Sequence, residues 1–424
     1  MTPDQIIAIA VFALALVAIM SEKIHRAVVA MIGAMVLVFL HIVDFDTAVD
    51  YMDFNTLGVL MGMMMFVAVV QKSGIFEYLA IKCARIAKGQ PWHVMVMFVL
   101  LTSCLSAMLD NVTTVLLVAP MTLMVCKVMD LDPIPFFMAE VLASNIGGTS
   151  TLIGDPPNIM IGSGAGLSAI DFLVYDAPAA ILSVAVMLVF FYVLFGRDLS
   201  VPEELREKLM ELDEREHLKK PRLAKLSVVM TVVVTVSLMC HSLVGVESGV
   251  IALAAAAFML ILSGENIEDI LHHVEWTTLV FFGGLFIIVG GLTETGVVEM
   301  LANVLIDATG GNVFMLMIVL LFGSALISSF LDNIPFVATL IPILLTMEAS
   351  GIDVMPLWWA VSLGACLGGN GTLIGASANV VMADIASRNG YKLTFAKFTR
   401  VGFPVMLATV TVSAVYLIIR FPPF

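Results

Sequence analysis

Bases are scarce in this chain: 20 lysines and arginines among 424 residues, against 34 acids, for a formal charge of -14. With no basic face to neutralise phosphates, a nucleic-acid footprint is excluded. Charge of either sign is rare too, at 13% of residues, whereas 60% are hydrophobic and the mean hydropathy is +1.06. A water-soluble domain carries about 25% charged residues, so a soluble catalytic domain is excluded and a polytopic membrane protein is implied. The five cysteines (Cys83, Cys104, Cys126, Cys240, Cys366) include no CxxC pair, which leaves neither a disulfide frame nor a zinc site. The first apolar stretch, 5–20, lacks the basic n-region and small-residue cleavage site of a signal peptide; only Asp4 precedes it, and it reads as a span.

What the chain does contain is a series of apolar runs free of lysine and arginine. They cover 5–20, 27–43, 54–71, 89–109, 111–126, 133–154, 156–170 and 177–196, then 226–246, 248–264, 276–293, 311–331, 333–347, 354–383 and 401–419. At about 20 residues per crossing, on the order of ten crossings fit. Between the two sets, residues 197–225 mix both signs and read as an exposed, partly helical cytoplasmic linker.

The two sets are copies of one plan. LDNVTTVLLVAP begins at Leu109 and LDNIPFVATLIP at Leu331, 222 positions on; GGTSTLIGDPPN begins at Gly147 and GGNGTLIGASAN at Gly368, 221 positions on; Gly74 and Glu77 match Gly296 and Glu299. The chain is thus expected to divide into a first repeat (1–196; hairpin 90–127, broken helix 133–165), the linker, and a second repeat (226–424; hairpin 312–347, broken helix 354–386). Because cytoplasmic loops carry the excess of bases, their distribution orients the copies. With both termini outside and each hairpin leaving on the side it entered, nineteen of the twenty bases fall inside and only Arg420 outside, while the outer loops hold acids, Asp171 and Asp176 among them. Five crossings per half, an odd number, invert the second copy. The expected fold is an all-α polytopic membrane protein built as an inverted repeat, with about ten transmembrane helices plus two re-entrant hairpins. Charge alone does not separate a hairpin from two full spans.

Non-helical backbone inside a bilayer is tolerated only where protein buries it or a watery cavity solvates it. GGTSTLIGDPPN and GGNGTLIGASAN break long apolar runs at corresponding places in the two halves, the pattern that points to a transporter site near the midplane. Asp110 and Asp332 stand in hydrophobic surroundings, each followed by an asparagine (Asn111, Asn333), with no base in any span to pair with. Such acids need a metal ion or a proton to offset their charge, although both also suit a cap on the following helix. Asp155 and Glu140 have no acidic counterpart in the second half, and Glu140 suits either a proton relay or a place near its helix end. Thr113, Thr114, Asn145, Thr149, Ser150, Thr151, Asn158, Asn370, Thr372, Ser377 and Asn379 offer neutral oxygens and donors, though membrane hydroxyls often bond their own backbone. Two membrane aspartates also raise an intramembrane protease, but that family carries GxGD where residues 152–155 read LIGD; a passive channel is a further rival.

On LDNVTT, NIGGTSTLIGDPPN, LDNIPF and GACLGGNGTLIGASANVV, the chain resembles the ion transporter superfamily, in the group of arsenite permeases, NhaD-type sodium/proton antiporters and the melanosomal P protein. The resemblance spans nearly the whole chain except the linker. It implies a scaffold plus a transport domain, a homodimer and an elevator movement. In the related dicarboxylate symporters a Ser-Asn-Thr motif at each hairpin tip helps to bind sodium; here the tips read Asp110-Asn111-Val112 and Asp332-Asn333-Ile334, which favours a titratable site. The expected function is proton-coupled antiport of sodium or arsenite-type efflux, with Asp110, Asn111, Asp332 and Asn333 holding the cation. Sodium- or proton-coupled citrate-type symport is the alternative. No enzyme activity and no resident cofactor are expected, only Na+ or a small anion as cargo, a second copy and the lipid bilayer as partners, and a bacterial or archaeal plasma membrane as location.

Overall fold

The computed structural model describes all residues except 22, 198, 212, 215–217, 242–244 and 423–424; parts of the linker and the end of the 226–246 run lie outside the described residues. The first half comprises α1 (Pro3–Met20), α2 (Arg26–Phe39), α3 (Phe45–Asp50), α4 (Phe54–Gln71), α5 (Ile75–Ile86), α6 (Pro91–Ser106), α7 (Asn111–Val128), α8 (Ile134–Thr149), α9 (Pro156–Ala165) and α10 (Ala169–Phe191), which ends in a π turn. The linker holds α11 (Glu203–Met210). The second half comprises α12 (Pro221–Met239), α13 (Ser248–Ser263), α14 (Ile267–Leu271), α15 (Trp276–Glu294), α16 (Val297–Thr309), α17 (Val313–Ser328), α18 (Asn333–Ala349), α19 (Met355–Gly368), α20 (Ser377–Arg388) and α21 (Phe395–Arg420). No strand occurs among the described residues.

Among the described residues seven helices are long and apolar enough to cross a membrane, or eight if α16 and α17, bent by 115°, count as one span. The reading of about ten crossings also included α2 and α13. With 14 and 16 residues these are roughly 21 and 24 Å long, short of a hydrocarbon core of about 30 Å. Each is packed against a full-length partner. On α4, a Cβ at Gly62 would lie 2.4 Å from the Ala252 backbone of α13; on α15, a Cβ at Gly284 would lie 2.7 Å from the Ala30 backbone of α2. Gly62 and Gly284, like Ala30 and Ala252, are 222 positions apart, so one close crossing is built twice by the same glycine. Small residues that let helix backbones touch are the usual adhesive where lipid removes the hydrophobic drive.

The repeated glycines do the same in the other layer. A Cβ at Gly147 on α8 would meet the Ser103 carbonyl of α6 at 2.3 Å, and one at Gly368 would meet the Ala325 carbonyl of α17 at 2.6 Å. Helices α8 and α19 are buried along their whole lengths and form the centre of this second bundle. The Gly147→Ala and Gly368→Ala variants are each expected to lose about 1–3 kcal/mol through forced separation of these backbones, read as earlier thermal unfolding of the purified protein in detergent. A Gly323→Ala control, where an added Cβ meets nothing within 4 Å, should unfold no earlier than the parent. Glycines 74 and 296, matched in the sequence, both adopt left-handed backbone (φ 80° and 74°) in front of α5 and α16.

The two hairpins leave the centre on opposite sides. Helix α18 runs outward beside α9, where Gly164 meets Ile341, toward the α4 end at which Ser163 donates to Asp53. Helix α7 instead runs toward the linker, its far end against α11. That side also holds the other end of α4, where Lys72 pairs with Glu265 and Asp269, and the Arg85–Glu214 and Lys219–Glu77 pairs.

Candidate functional site

Four helices begin at one place in the middle of the fold. Helices α7, α9 and α18 start at the aspartates Asp110, Asp155 and Asp332, and α20 starts at Ala376 and Ser377. The positive ends of their peptide dipoles converge there. A cavity of about 30 Å³ lies among them, lined by Asp110, Asn111, Asp155 and Asn333 from the hairpins and broken helix and by Arg26, Glu275 and Thr278 from α2 and the start of α15. That volume accommodates one or two water-sized species. A larger cavity of about 660 Å³ between α15 and α18 has mostly apolar walls, and none of these acids lines it.

The three aspartates differ in how they are compensated. Asp110 is spent on its helix: Oδ1 accepts from the Thr113 amide at 2.8 Å and Oδ2 from the Thr113 hydroxyl at 2.5 Å. Asp332 also caps its helix, accepting from the Ile334 amide at 3.2 Å, and in addition accepts from Arg26 at 3.1 Å and Ser377 at 3.2 Å. Asp155 makes no cap bond. It is 1% exposed, the Asn333 amide reaches its two oxygens only at 3.4 Å, and the Cys366 thiol is its other polar neighbour. Of these three aspartates, Asp155 is therefore the one that the protein itself leaves least satisfied.

Arg26 corrects the expectation that no base neighbours these acids. It precedes the second apolar run in sequence, yet its guanidinium donates to Asp332, to Ser377 at 2.8 Å and to Thr278 at 3.3 Å, and lies 5.2 Å from the centre of the Phe281 ring. Arg26 and Ser377 also line a vestibule of about 400 Å³ with His25 and Asp332. The Arg26–Asp332–Ser377 cluster thus partitions vestibule from central cavity. Its counterpart 222 positions on is Ser248, which brings no base to Asp110. Glu275, also absent from the sequence reading, stands just ahead of the α15 span; burial, and next the Asp110 carboxylate, raise its carboxyl above the usual range.

Most of the other predicted residues brace the bends. Asn158 donates to the carbonyls of Gly148, Thr149 and Thr151, and Asn379 to those of Gly369 and Thr372, so the asparagine ending each motif ties its broken helix together. Asn145 accepts from Asn111 at 3.3 Å and donates to Asn370 at 2.9 Å and Asn379 at 3.0 Å, joining the two halves. The Thr149, Thr151 and Thr372 hydroxyls donate to the carbonyls of Asn145, Ala107 and Ser329, and the Ser150 hydroxyl to that of Gly147. Thr114 is buried, with no partner for its hydroxyl among the described residues. Glu140 lies away from the cavity, buried against the Thr122 hydroxyl with one oxygen unpartnered among the described residues. Asp176, expected in an outer loop, is instead fully buried within α10. Among the described residues no three His, Cys, Asp or Glu side chains gather closely enough to hold a metal ion, so a cation here would draw on amide, hydroxyl and carbonyl oxygens as well.

A family model described as CitMHS, citrate transporter, matches residues 16–364. An uncharacterized transporter of Mycobacterium tuberculosis is 39% identical over 427 residues, covering 98% of this chain and 99% of that protein. The P protein of Mus musculus is 36% identical over 497 residues, covering 97% of this chain and 60% of its own length. Among solved structures, the Alcanivorax borkumensis YdaH transporter superposes with a TM-score of 0.64 at 15% identity, over 89% of this chain and 88% of that one, a likeness of fold.

Proposed function

The chain belongs to the CitMHS citrate transporter family and is an integral membrane transporter, and from that premise we propose that it exchanges protons for a small monovalent cation, sodium in the first instance, at the central cavity. Asp155 carries this reading: a fully buried carboxylate, in a space fit for one or two water-sized species, with no ion-pair partner among the described residues and only long contacts. A proton and a cation cannot both neutralise one acid, and this exclusion couples their movements. The cavity lining sets the carboxyl groups of Asp110, Asp155 and Glu275 against one guanidinium, that of Arg26, which is already paired with Asp332, a balance that favours cations over a polyanion.

In the same reading the linker side is cytoplasmic, the termini lie outside in a bacterial plasma membrane, and the hairpin bundle moves against the α2–α15 and α4–α13 pairs as an elevator, in a homodimer. Glu140 holds a proton in transit. Citrate-type symport is the second reading, favoured by Arg26 and by the vestibule of about 400 Å³ beside it, which would take a tricarboxylate. Proteoliposomes with an internal pH dye, given sodium, lithium, arsenite and citrate in turn, separate the two. Sodium or lithium should drive proton release without citrate. Citrate uptake with no cation-driven proton flux would reject exchange in favour of symport.

A further inference from the structure

Asp176 is an acid that the cavity does not use. It lies on α10, 0% exposed, and among the described residues its carboxyl has one hydrogen-bond partner: the Ser362 hydroxyl of α19, 2.5 Å from Oδ2, while Oδ1 has none. Ser362 Oγ also lies 2.8 Å from Oδ1 of Asn158. The orientation of that amide is fixed, because its nitrogen already donates to the carbonyls of Gly148, Thr149 and Thr151.

Counting protons decides the state of the acid. A hydroxyl has one proton to give, and neither an amide oxygen nor an ionised carboxylate has any. If Asp176 were ionised, two acceptors would face the single Ser362 proton, and one of the contacts at 2.5 and 2.8 Å would be lone pair against lone pair. A proton on Oδ2 of Asp176 resolves both: the acid donates to Ser362, and Ser362 donates to Asn158. The surroundings agree, because a buried charge with a bare oxygen costs several kcal/mol. Facing Asp176 are the Cys366 thiol, the Tyr416 phenol of α21 and, beyond Cys366, Asp155. Arg420 lies over the Tyr175 ring at 4.9 Å, and among the described residues it makes no ion pair with Asp176.

We propose that Asp176 is a proton-binding site of the broken-helix bundle, separate from the cavity at Asp155, which stays loaded as the neutral acid and holds the first bend in shape through Ser362 and Asn158. When the carboxyl O–H bond breaks and its proton leaves to water, Ser362 turns to the carboxylate and Asn158 loses its hydroxyl donor. The bend that presents Asp155 and the start of α9 then loosens. The second half has no such device. Val141 stands where Ser362 does, 221 positions earlier, and Gly402 stands where Asp176 does when Pro178 and Pro404 are aligned. At Gly402 a Cβ would strike the Asn370 carbonyl at 2.4 Å, so backbone fills the space instead.

The first readout needs no cargo and stands or falls apart from the exchange reading. Infrared spectra of the purified full chain at neutral pH should contain a protonated-carboxyl C=O band that shifts in heavy water. The band should be missing in Asp176→Asn, be kept in Glu140→Gln, and move to higher frequency in Ser362→Ala, where the acid loses its acceptor. In liposomes, the decline of transport at alkaline pH should be weaker in Asp176→Asn, whose side chain cannot ionise. Superimposable carboxyl bands in the parent and Asp176→Asn overturn the proposal, since the acid is then charged. An unmoved band in Ser362→Ala overturns it as well, and serves if the Asn variant does not fold.

Discussion

Asp155→Asn should abolish coupled exchange and leave a protein at least as stable as the parent. The substitution keeps volume and shape, and it removes no helix cap, because Asp155 makes none. What it removes is the charge. Exchanging a charge-assisted contact for a neutral one costs about 3 kcal/mol, or roughly a hundredfold in cation affinity, and an amide also has no proton to trade. Folding, in contrast, no longer has to bury a carboxylate at 1% exposure, so thermal unfolding should move upward. Asp110→Asn keeps an oxygen for the Thr113 amide and should cost less. Solid-supported membrane currents with sodium jumps measure the first effect and thermal unfolding the second. A currents-intact Asp155→Asn would move the cargo site elsewhere.

The same site fixes the sign of the pH dependence. As pH falls, protons occupy the cavity acids and compete with the cation, so the half-saturating sodium concentration should rise. Glu275, whose carboxyl is raised by burial and by Asp110, is neutral at pH values where an ordinary glutamate is charged, and it adds its negative charge to the cavity only as pH climbs through that raised value. Glu275→Gln should therefore weaken sodium binding mainly at the alkaline end and flatten the profile. A profile parallel to that of the parent would place Glu275 outside the site.

How much of this could be read in the sequence depended on whether a residue's role is local or repeated. The broken helices were legible because Gly147 and Gly368, or Asn158 and Asn379, recur at one offset, and the backbone contacts by which they brace each bend lie within its own half. The acids at the hairpin tips were legible as charges in apolar runs. Their relative importance was not: Asp110 is neutralised by its own helix end, whereas Asp155 is left bare by a backbone that turns away from it, and only tertiary geometry separates those cases. Arg26 was hidden for a different reason. Its partner is 306 positions away, and a base just before an apolar run satisfies the rule for cytoplasmic loops equally well. Asp176 is flanked by an apolar run on one side and by Asp171 on the other, so it read as loop; the buried serine that receives it lies on α19, in the other half.

Arg26→Gln is expected to open a proton leak. The guanidinium is the one contact among the described residues that ties α2 to the tip of α18 by charge, at 3.1 Å and with side chains 26% and 17% exposed. A pair so placed gains up to about 5 kcal/mol of Coulomb attraction at an effective dielectric constant near 20. Much of this is offset by desolvation, leaving on the order of 1–2 kcal/mol, or about five- to thirtyfold in the fraction of time the partition between vestibule and cavity stands open. Arg26→Lys should recover only part of the barrier, since an ammonium cannot serve Asp332 and Ser377 with the planar fork of a guanidinium. The partner settles the assignment: Asp332→Asn alone should leak comparably, and the double variant should leak no more than either single one, because the two side chains make one contact. Additive leaks would mean that Arg26 acts on the vestibule for some other reason, and binding of a carboxylate cargo there would then become the better account.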